Sequence, residues 1–431
     1  MLKRWPLLLY AVGSVGTGLF SSVTGILLLF FMTDTLGIAA ATAGLVLFIP
    51  KFWDVVFDPL VGIASDRTHS RWGRRQPYLL VGGALSAVAF FALFSVPDLG
   101  TPNARALWVG TAFFIGMSAY ALFAVPYAAM PAEMSDDPHE RTVILSWRMG
   151  FVLLGTIAGA VAGPMMVQAS GGGRDGYHTM GAALAVLVAL TMLTTALNTR
   201  SFPQREASIH AMPAGEQLRL ALANRPYFVL LLAYVFVLVG NGAMAAAAPY
   251  FCVHVLGRKP DSVGLVFGCL LLAATAAMPL WVAAARRFGK PSSAIAAALV
   301  FGVALAAMAG VDRDTPLPLF YALCALAGLG FSGTQLLPFS MLTDVIEQDA
   351  VRSGLRREGG FTGLFIAGEK AGLAIGPLIT AGVLSISGFV ASTDGAAVQP
   401  ASALVGAGLA FSLVPAVFVL AGVLVLRRYK L

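Results

Sequence analysis

Hydrophobic residues fall into long runs along this chain, and short polar segments separate the runs. Twelve runs are long enough to cross the roughly 20-residue apolar core of a bilayer as helices. None has the strict alternation of a membrane-spanning strand. The pattern predicts an all-α integral membrane protein with twelve transmembrane helices. The predicted spans are 6–32, 40–63, 77–97, 105–131, 143–168, 178–198, 226–255, 262–284, 291–311, 317–343, 360–387 and 402–426.

The composition supports a membrane protein. Of the 431 residues, 58% are hydrophobic and 11% are charged, whereas soluble domains carry about 25% charged residues. The first apolar run continues to Met32, so it predicts a spanning helix rather than a cleaved signal peptide. The three cysteines lie in apolar surroundings without a CxxC pair, which argues against a disulfide framework or a zinc site.

Basic residues are distributed unevenly between the two sides of the predicted membrane. Of the 28 Lys and Arg residues, 20 lie on the side of the N-terminus and five on the other, and Lys51, Arg148 and Lys370 lie within or at the start of spans. The positive-inside rule therefore predicts cytoplasmic termini in a multi-pass protein of the cytoplasmic (inner) membrane. This placement accounts for the net charge of +7 without nucleic acid as a partner. We expect a monomer surrounded by membrane lipids.

Short motifs recur at a nearly constant distance along the chain. The first two pairs are 220 residues apart, and the last two are 212 and 213 apart. The pairs are "TDTLG" ending at Gly37 with "VHVLG" ending at Gly257, Pro59 with Pro279, Pro126 with Pro338, and Gly163-Pro164 with Gly376-Pro377.

This internal repeat predicts two six-helix halves in the same orientation, 1–198 and 226–431, joined by a cytoplasmic linker at 199–225. Parallel repeats of this kind are known in transporters, whose substrates bind between the halves near the middle of the membrane.

The second span contains "KFWDVVFDPLVG", which places Lys51, Asp54 and Asp58 in an apolar helix. The two aspartates are four residues apart and share a face. Because an ionised carboxylate at the bilayer centre costs about 2.5–3.5 kcal/mol, a proton or a cation is expected between them. The repeat has Ala274 and Met278 there, so the helix does not require the carboxylates. We predict a site for Na⁺ or H⁺ with Lys51 as an internal counter-charge; the alternative is a structural Lys51–Asp58 pair.

The connection "GIASDRTHSRWGRR" between the second and third spans predicts a conformational gate. Gly62 is expected to permit close helix packing, and Asp66 is expected to cap a helix or to pair with an arginine across the two halves. Arg67, Arg74 and Arg75 supply the positive charge. The alternative is that these charges only set the topology.

Two further spans carry candidate substrate residues. Pro126 and Pro131 are expected to interrupt the fourth helix, as is common beside a cavity. Arg148 enters the fifth helix and either reaches the cavity or extends to the interface. In the eleventh helix, Glu369 and Lys370 are adjacent and point about 100° apart. Lys370 is predicted to face the cavity and to pair with Asp54 or Asp58; the alternative is extension to the interface.

Six motifs together resemble the glycoside–pentoside–hexuronide:cation symporter family of the major facilitator superfamily, which includes the melibiose permeases. The resemblance covers essentially the whole chain and rests on "TDTLG", "WDVVFDPLVG", "SDRTHSRWGRRQPYLL", "VPYAAMPAEM", "ERTVILSWRM" and "GEKAG". It implies that Asp54 and Asp58 bind the cation, that Lys370 links the cation and substrate sites, and that Tyr120 and Arg148 line the substrate cavity.

Three positions depart from the melibiose permeases of that family. Gly18, Ala124 and Ala128 stand where those members have two aspartates and a tryptophan that contact sugar. Sugar hydroxyls need paired hydrogen-bonding groups, so this change favours a less polar or amphiphilic substrate. The sodium-dependent lysolipid symporters of vertebrates are related to this family.

These patterns lead to one leading hypothesis. The chain is expected to be a secondary active symporter that works by alternating access and couples a small solute to Na⁺ or H⁺, without a cofactor. A glycoside is the substrate that the family implies, and a lysolipid or other amphiphile is the alternative. An enzyme is disfavoured, since no nucleophile–base pair or metal cluster lies within the spans. A sensor without transport activity is the other alternative.

Overall fold

The computed structural model describes residues 4–135, 137–199, 219, 221–353, 358–395 and 397–430, and within them it contains helices and no strand. Twelve helices have the length and composition to span a membrane, which confirms the all-α prediction. They are numbered here α1 (Arg4–Ala11, Gly13–Ile26, Leu28–Phe30 and the π-helical Phe31–Thr35), α2 (Ala40–Arg67), α3 (Gln76–Phe94), α4 (Pro102–Met134), α5 (Pro138–Ile157, the π-helical Ala158–Ala162 and Gly163–Ala169), α6 (Gly173–Asn198), α7 (Arg225–Tyr250 and the π-helical Phe251–Val255), α8 (Ser262–Phe288), α9 (Lys290–Ala307 and the 3₁₀ turn Met308–Gly310), α10 (Leu317–Ser353), α11 (Glu358–Ile386) and α12 (Ala401–Phe411 and Leu413–Leu426).

The chain forms two compact units. Unit 1 contains Met1–Ser208, Lys259–Gly264 and Val390–Val398, and unit 2 contains Ile209–Arg258, Leu265–Phe389 and Gln399–Leu431. Helices α1 to α6 therefore belong to unit 1, and α7 to α12 belong to unit 2 apart from the first turn of α8. Most of the linker predicted at 199–225 lies outside the described residues, and the division into the halves 1–198 and 226–431 stays a prediction.

Two short segments from the second half of the chain pack within unit 1. The Ser392 N–H donates to the Thr33 carbonyl oxygen over 2.8 Å at the end of α1. At Gly264, an added Cβ would lie 2.7 Å from the carbonyl oxygen of Val161 in α5. At these two segments, therefore, the boundary between the compact units differs from the boundary between the repeated halves of the sequence.

The ends of α1 and α7 have the same unusual backbone. Each finishes in one π-helical turn, Phe31–Thr35 in α1 and Phe251–Val255 in α7. Each turn is followed two residues later by a glycine with positive φ, 65° at Gly37 and 63° at Gly257. Because π-turns are rare, their occurrence 220 residues apart is structural support for the internal repeat.

A second shared feature is a row of glycines, four residues apart, in α5 and in α11. The α5 segment "GTIAGAVAGP" and the α11 segment "GEKAGLAIGP" align at a spacing of 213 residues. The rows are Gly155, Gly159 and Gly163 in α5 and Gly368, Gly372 and Gly376 in α11.

These glycines bring helix backbones into direct contact. An added Cβ at Gly155 would lie less than 3.0 Å from the Val15 carbonyl oxygen of α1, and one at Gly376 would lie less than 3.0 Å from Ala243 N of α7. Small residues at four-residue spacing allow close packing of membrane helices. In each unit, therefore, the first helix of the repeat packs backbone to backbone against the fifth.

The structure corrects two expectations about individual helices. Helix α4 is continuous from Pro102 to Met134 with Pro126 and Pro131 inside it, so the prolines do not interrupt it. A membrane helix tolerates proline where neighbouring groups satisfy the freed backbone. Helix α10 continues to Ser353, ten residues beyond its predicted end, because its last turns are polar but still helical.

Substitution of Gly376 by alanine tests the contact between α7 and α11. The added methyl group would meet the backbone of α7, so we expect the free energy of unfolding to fall by about 1–3 kcal/mol, the usual cost of overpacking. Thermal unfolding of the purified protein in detergent measures this change. Gly382→Ala on the same helix is the control, because a Cβ there has nothing within 4 Å. Equal losses in Tm for both variants would contradict the packing role.

Candidate functional site

Helix α2 carries the two predicted cation-site carboxylates. Asp54 is buried, with 2% of its surface exposed, and Asp58 is half-buried one turn further along the helix. In each residue the Oδ1 atom is buried and accepts no hydrogen bond from the part of the chain described here. Both residues take part in other interactions. Two carboxylates one turn apart in a membrane helix are chemically suited to a hard cation or a proton.

Aromatic side chains hold α2 against α4 next to this pair. The Trp53 indole N–H donates to Ser118 Oγ over 3.1 Å. Its ring stacks on Phe57 and on Phe114, with ring centroids 5.3 and 5.4 Å apart. Because Trp53 directly precedes Asp54, these contacts fix the rotation of α2 and hence the direction of the carboxylates.

Lys51 is half-buried on α2, and its electrostatic partner is Asp54, three residues along the helix. The sequence alternative paired it with Asp58 instead. Spacings of three and of seven residues both place side chains on one face, so the sequence could not distinguish the two. The role of Lys51 as a counter-charge inside the candidate cation site stays a prediction.

Tyr120 of α4 lies against α1. Its ring stacks on Phe20, with centroids 5.1 Å apart, and its hydroxyl accepts a hydrogen bond from Ser21 Oγ over 3.3 Å. Because Ser21 is exposed, the Tyr120 hydroxyl is at an accessible edge of the α1–α4 contact. A polar substrate group could form hydrogen bonds there.

Arg148 of α5 lies over an aromatic cluster. Its guanidinium carbon is 5.1 Å from the ring centroid of Tyr127, a cation–π distance. The Tyr127 hydroxyl donates to the Tyr10 carbonyl oxygen over 2.9 Å and shares a 2.6 Å hydrogen bond with Ser14. The sequence missed this cluster, because its members come from three helices; only the tyrosine of "VPYAAM" signalled it.

Gly18 packs too tightly for any side chain. An added Cβ would lie less than 3.0 Å from the Val152 carbonyl oxygen of α5. A sugar-binding aspartate at this position, as the family resemblance would have it, therefore does not fit this packing. At the other two positions that differ from the residues contacting sugar in the melibiose permeases, Ala124 is half-buried and Ala128 is exposed.

Glu369 and Lys370 belong to unit 2, where both are half-buried on α11. They follow Gly368, whose added Cβ would lie 2.6 Å from Leu231 Cδ1 of α7. Both residues are therefore close to the α7–α11 contact. The pairing of Lys370 with Asp54 or Asp58 stays a prediction.

Two arginines of the predicted gate meet at an acidic residue that the sequence did not identify. Arg75 is 5% exposed, and Glu133 at the end of α4 is 8% exposed. Arg75 Nε donates to Glu133 Oε1 over 2.7 Å, and Arg75 Nη2 donates to Asp66 Oδ1 over 3.0 Å. Arg74 also forms an ion pair with Glu133. This network ties the ends of α2 and α4 to the start of α3.

The other expectations for the gate need correction. Asp66 pairs with Arg75 of the same unit, a partner that the sequence did not indicate, and its pairing across the two halves stays a prediction. An added Cβ at Gly62 would meet only Val125, at an ordinary 3.7 Å, so close packing does not require a glycine there. Arg67 is exposed at the end of α2.

Unit 2 has a simpler ion pair at the corresponding place. Lys290, at the start of α9, donates to Asp344 Oδ1 and Oδ2 over 2.6 and 2.7 Å. It also donates to the Ser340 carbonyl oxygen over 3.1 Å. In both units, therefore, a cation at the start of the third helix holds a carboxylate near the end of the fourth.

Among the described residues, no group of three or more His, Cys, Asp or Glu side chains is arranged to hold a metal ion. Cys252, Cys269 and Cys324 are free thiols. His139 and Glu140 fall in the first turn of α5, and Asp136 lies outside the described residues.

Comparison with known proteins gives matches over nearly the whole chain. A family model described as "MFS/sugar transport protein" matches residues 9–431. The chain is similar to the glucuronide carrier protein homolog of Escherichia coli K12, with 26% identity over 98% of this chain and 91% of that protein. It is also similar to the mouse sodium-dependent lysophosphatidylcholine symporter 1, with 27% identity over 79% of this chain and 69% of that protein.

Solved structures share the fold at low sequence identity. The crystal structure of a D-xylose–proton symporter superposes with a TM-score of 0.71 at 13% identity and covers 99% of this chain and 97% of its own. An identity this low carries the fold alone.

Glu133→Gln tests the buried ion network. The variant keeps the side-chain shape but removes the charge that Arg74 and Arg75 share, and Arg75 is buried. We expect the free energy of unfolding to fall by up to about 3–5 kcal/mol, as for other broken buried pairs. The control is Asp98→Asn, because Asp98 is 93% exposed in its pair with Arg174 and such pairs contribute about 1 kcal/mol or less. Chemical or thermal unfolding in detergent compares them; a loss no larger in Glu133→Gln would be evidence against the network.

Proposed function

Because the chain belongs to the MFS/sugar transport protein family, we propose that it is a cation-coupled secondary active symporter working by alternating access. It is a multi-pass membrane transporter and not an enzyme. The relatives and fold neighbours that it matches are transporters as well. The proposal adds the coupling cation, Na⁺ or H⁺, and the transport of a small solute together with it.

The observation that carries the proposal is the pair Asp54 and Asp58. The two carboxylates lie one turn apart in a membrane-spanning helix, and Asp54 is almost completely buried. The repeat has Ala274 and Met278 at these positions in α8, which is a spanning helix of similar length. The scaffold therefore does not need the carboxylates, and binding of a cation is the function that best accounts for their cost in the membrane.

The remaining site residues take roles in substrate binding and coupling. Tyr120 and Arg148 are proposed to contact the substrate, the first by hydrogen bonds and the second by its charge. Lys370 and Glu369 are proposed to couple ion and substrate, with Lys51 adjusting the charge beside Asp54. The network of Asp66, Arg74 and Arg75 with Glu133 is proposed to hold one conformation, and Gly62 and Arg67 lie beside it.

The substrate is proposed to be a glycoside, the class that the family description and the glucuronide carrier homolog support. An amphiphile such as a lysolipid is the second candidate. It is favoured by the packing at Gly18, where a sugar-binding carboxylate does not fit, and by the similarity to a lysophosphatidylcholine symporter.

Asp58→Asn tests the coupling site. The variant removes one of the two charges that attract the cation, so we expect coupled uptake into proteoliposomes to be abolished while the protein stays folded. Asp175→Asn is the control, since Asp175 is exposed at the start of α6 and should leave uptake unchanged. Normal gradient-driven uptake by Asp58→Asn would exclude this assignment.

A ligand panel on purified protein separates the two substrate classes. Linkage requires that ion and substrate stabilise each other, so the correct substrate should raise Tm more in the presence of the coupling ion than in K⁺. Glycosides, glucuronides and lysolipids are compared in Na⁺, Li⁺ and K⁺ at two pH values. Stabilisation by lysolipids alone would reject the glycoside, and stabilisation by glycosides alone would reject the amphiphile.

A further inference from the structure

Glu369 is a carboxylate in the membrane-spanning part of unit 2 that the cation site in unit 1 does not use. It lies in the 28-residue span Gly359–Ile386 of α11. The repeat has Thr156 at the matching position of α5, so the helix does not need an acid there. Within the residues described, the Glu369 carboxylate makes no ion pair and no hydrogen bond.

Lys370 does not neutralise this carboxylate directly. It is an electrostatic neighbour of Glu369, but adjacent residues on a helix point about 100° apart. The two side chains form no ion pair in the structure described. The charge of Glu369 therefore has to be balanced in another way.

A buried tyrosine hydroxyl lies on the neighbouring helix. Tyr234 of α7 is 1% exposed, its hydroxyl forms no hydrogen bond with any residue that the structure describes, and it interacts electrostatically with Glu369. Its ring stacks on Phe365, with centroids 4.7 Å apart and an interplanar angle of 4°. Because Phe365 precedes Glu369 by one turn, both side chains lie on the face of α11 that meets Tyr234.

The surroundings of this pair are apolar. Tyr234 borders a small cavity whose other lining residues include Pro338 and Met341. The close contact of Gly368 with Leu231 and Val235 of α7 leaves little room for water between the helices. An ionised carboxylate in such a place is costly, whereas its protonated form is neutral.

Among the described residues of unit 2, the other ionisable groups on the helices that pack against α11 are distant from Glu369 or engaged elsewhere. Helices α7, α10 and α12 of unit 2 pack against α11. The spanning residues of α12 include none that ionise, and Arg225 starts α7. Tyr227 of α7 donates to the Phe361 carbonyl oxygen two turns before Glu369. On α10, Tyr321 lies near the end of the helix that is farther from Glu369. A charged cluster follows Phe339 on the same helix, and the ring centroid of Phe339 is 5.4 Å from that of Phe365.

That charged cluster lies away from Glu369. It begins five residues after Phe339, and α10 runs antiparallel to α11, so it is level with turns of α11 that precede Phe365. The first acidic residue of the cluster, Asp344, forms an ion pair with Lys290. The cluster consists of Asp344, Glu347, Asp349 and Arg352.

We propose that Glu369 is a proton-binding site in the second half of the symporter, and that Tyr234 is the hydrogen-bond donor to its carboxylate when the proton leaves. This inference rests on the proposed function, because it adds a second ionisable switch to a cation-coupled transporter. The site takes a proton and not a metal ion, since a single carboxylate beside Lys370 has too few oxygen ligands for Na⁺.

Infrared difference spectroscopy on the purified protein in lipid nanodiscs tests the site without a substrate. A protonated carboxyl group gives a C=O band that disappears on titration. We expect Glu369→Gln to lose one such band, whereas Glu347→Gln, an exposed acid on α10, should retain it. Tyr234→Phe should retain the band but change the pH at which it disappears. A full set of bands in folded Glu369→Gln would overturn the proposal, and an unchanged titration in Tyr234→Phe would remove Tyr234 from it.

A second measurement uses the unmodified protein, in case Glu369→Gln does not fold. Dicyclohexylcarbodiimide reacts with protonated carboxyl groups in apolar surroundings, and peptide mass spectrometry locates the adduct. We expect labelling of Glu369 that falls as the pH rises; an unlabelled Glu369 at every pH would reject the proton site. If Asp58→Asn abolishes coupled uptake while Glu369 shows neither band nor adduct, the proposed function stands and this inference fails.

Discussion

The backbone contact of α1 with α5, and of α7 with α11, is the constraint on which the rest of the structure depends. Inside a bilayer, helices gain little from the hydrophobic effect, so they associate through close packing and hydrogen bonds. Glycines four residues apart supply that packing in both units, as at Gly155 and Gly376. A side chain at either position would separate the helices and displace Arg148 or Glu369, which those helices carry.

The chemistry is asymmetric although the scaffold is repeated. The shared π-turns and glycine rows are features that both units need to fold. The ionisable residues at membrane depth are not shared, which separates the requirements of folding from those of function. The matched pairs that differ are Lys51 and Leu271, Asp54 and Ala274, Asp58 and Met278, Arg148 and Phe361, Thr156 and Glu369, and Ile157 and Lys370.

Hydropathy was sufficient to predict all twelve spanning helices, because a helix in lipid must be long and apolar. Hydropathy was less informative about features that tertiary packing determines. Pro126 and Pro131 remain inside a continuous α4, and Gly62 makes no close contact, since neighbouring helices rather than local sequence determine both outcomes. Glu133 was missed because its partner Arg75 is 58 residues away in sequence, and only the fold brings the two together.

In the proposed mechanism, the two units respond to different ions. A cation at Asp54 and Asp58 changes the charge of unit 1 alone, and a proton on Glu369 changes the charge of unit 2 alone. Each event removes part of the cost of an ionised carboxylate in the membrane, so each favours whichever conformation buries its site more deeply. Coupling then requires only that the substrate prefer the same conformation. A repeated scaffold with unlike charges in its two units meets that requirement without direct contact between ion and substrate.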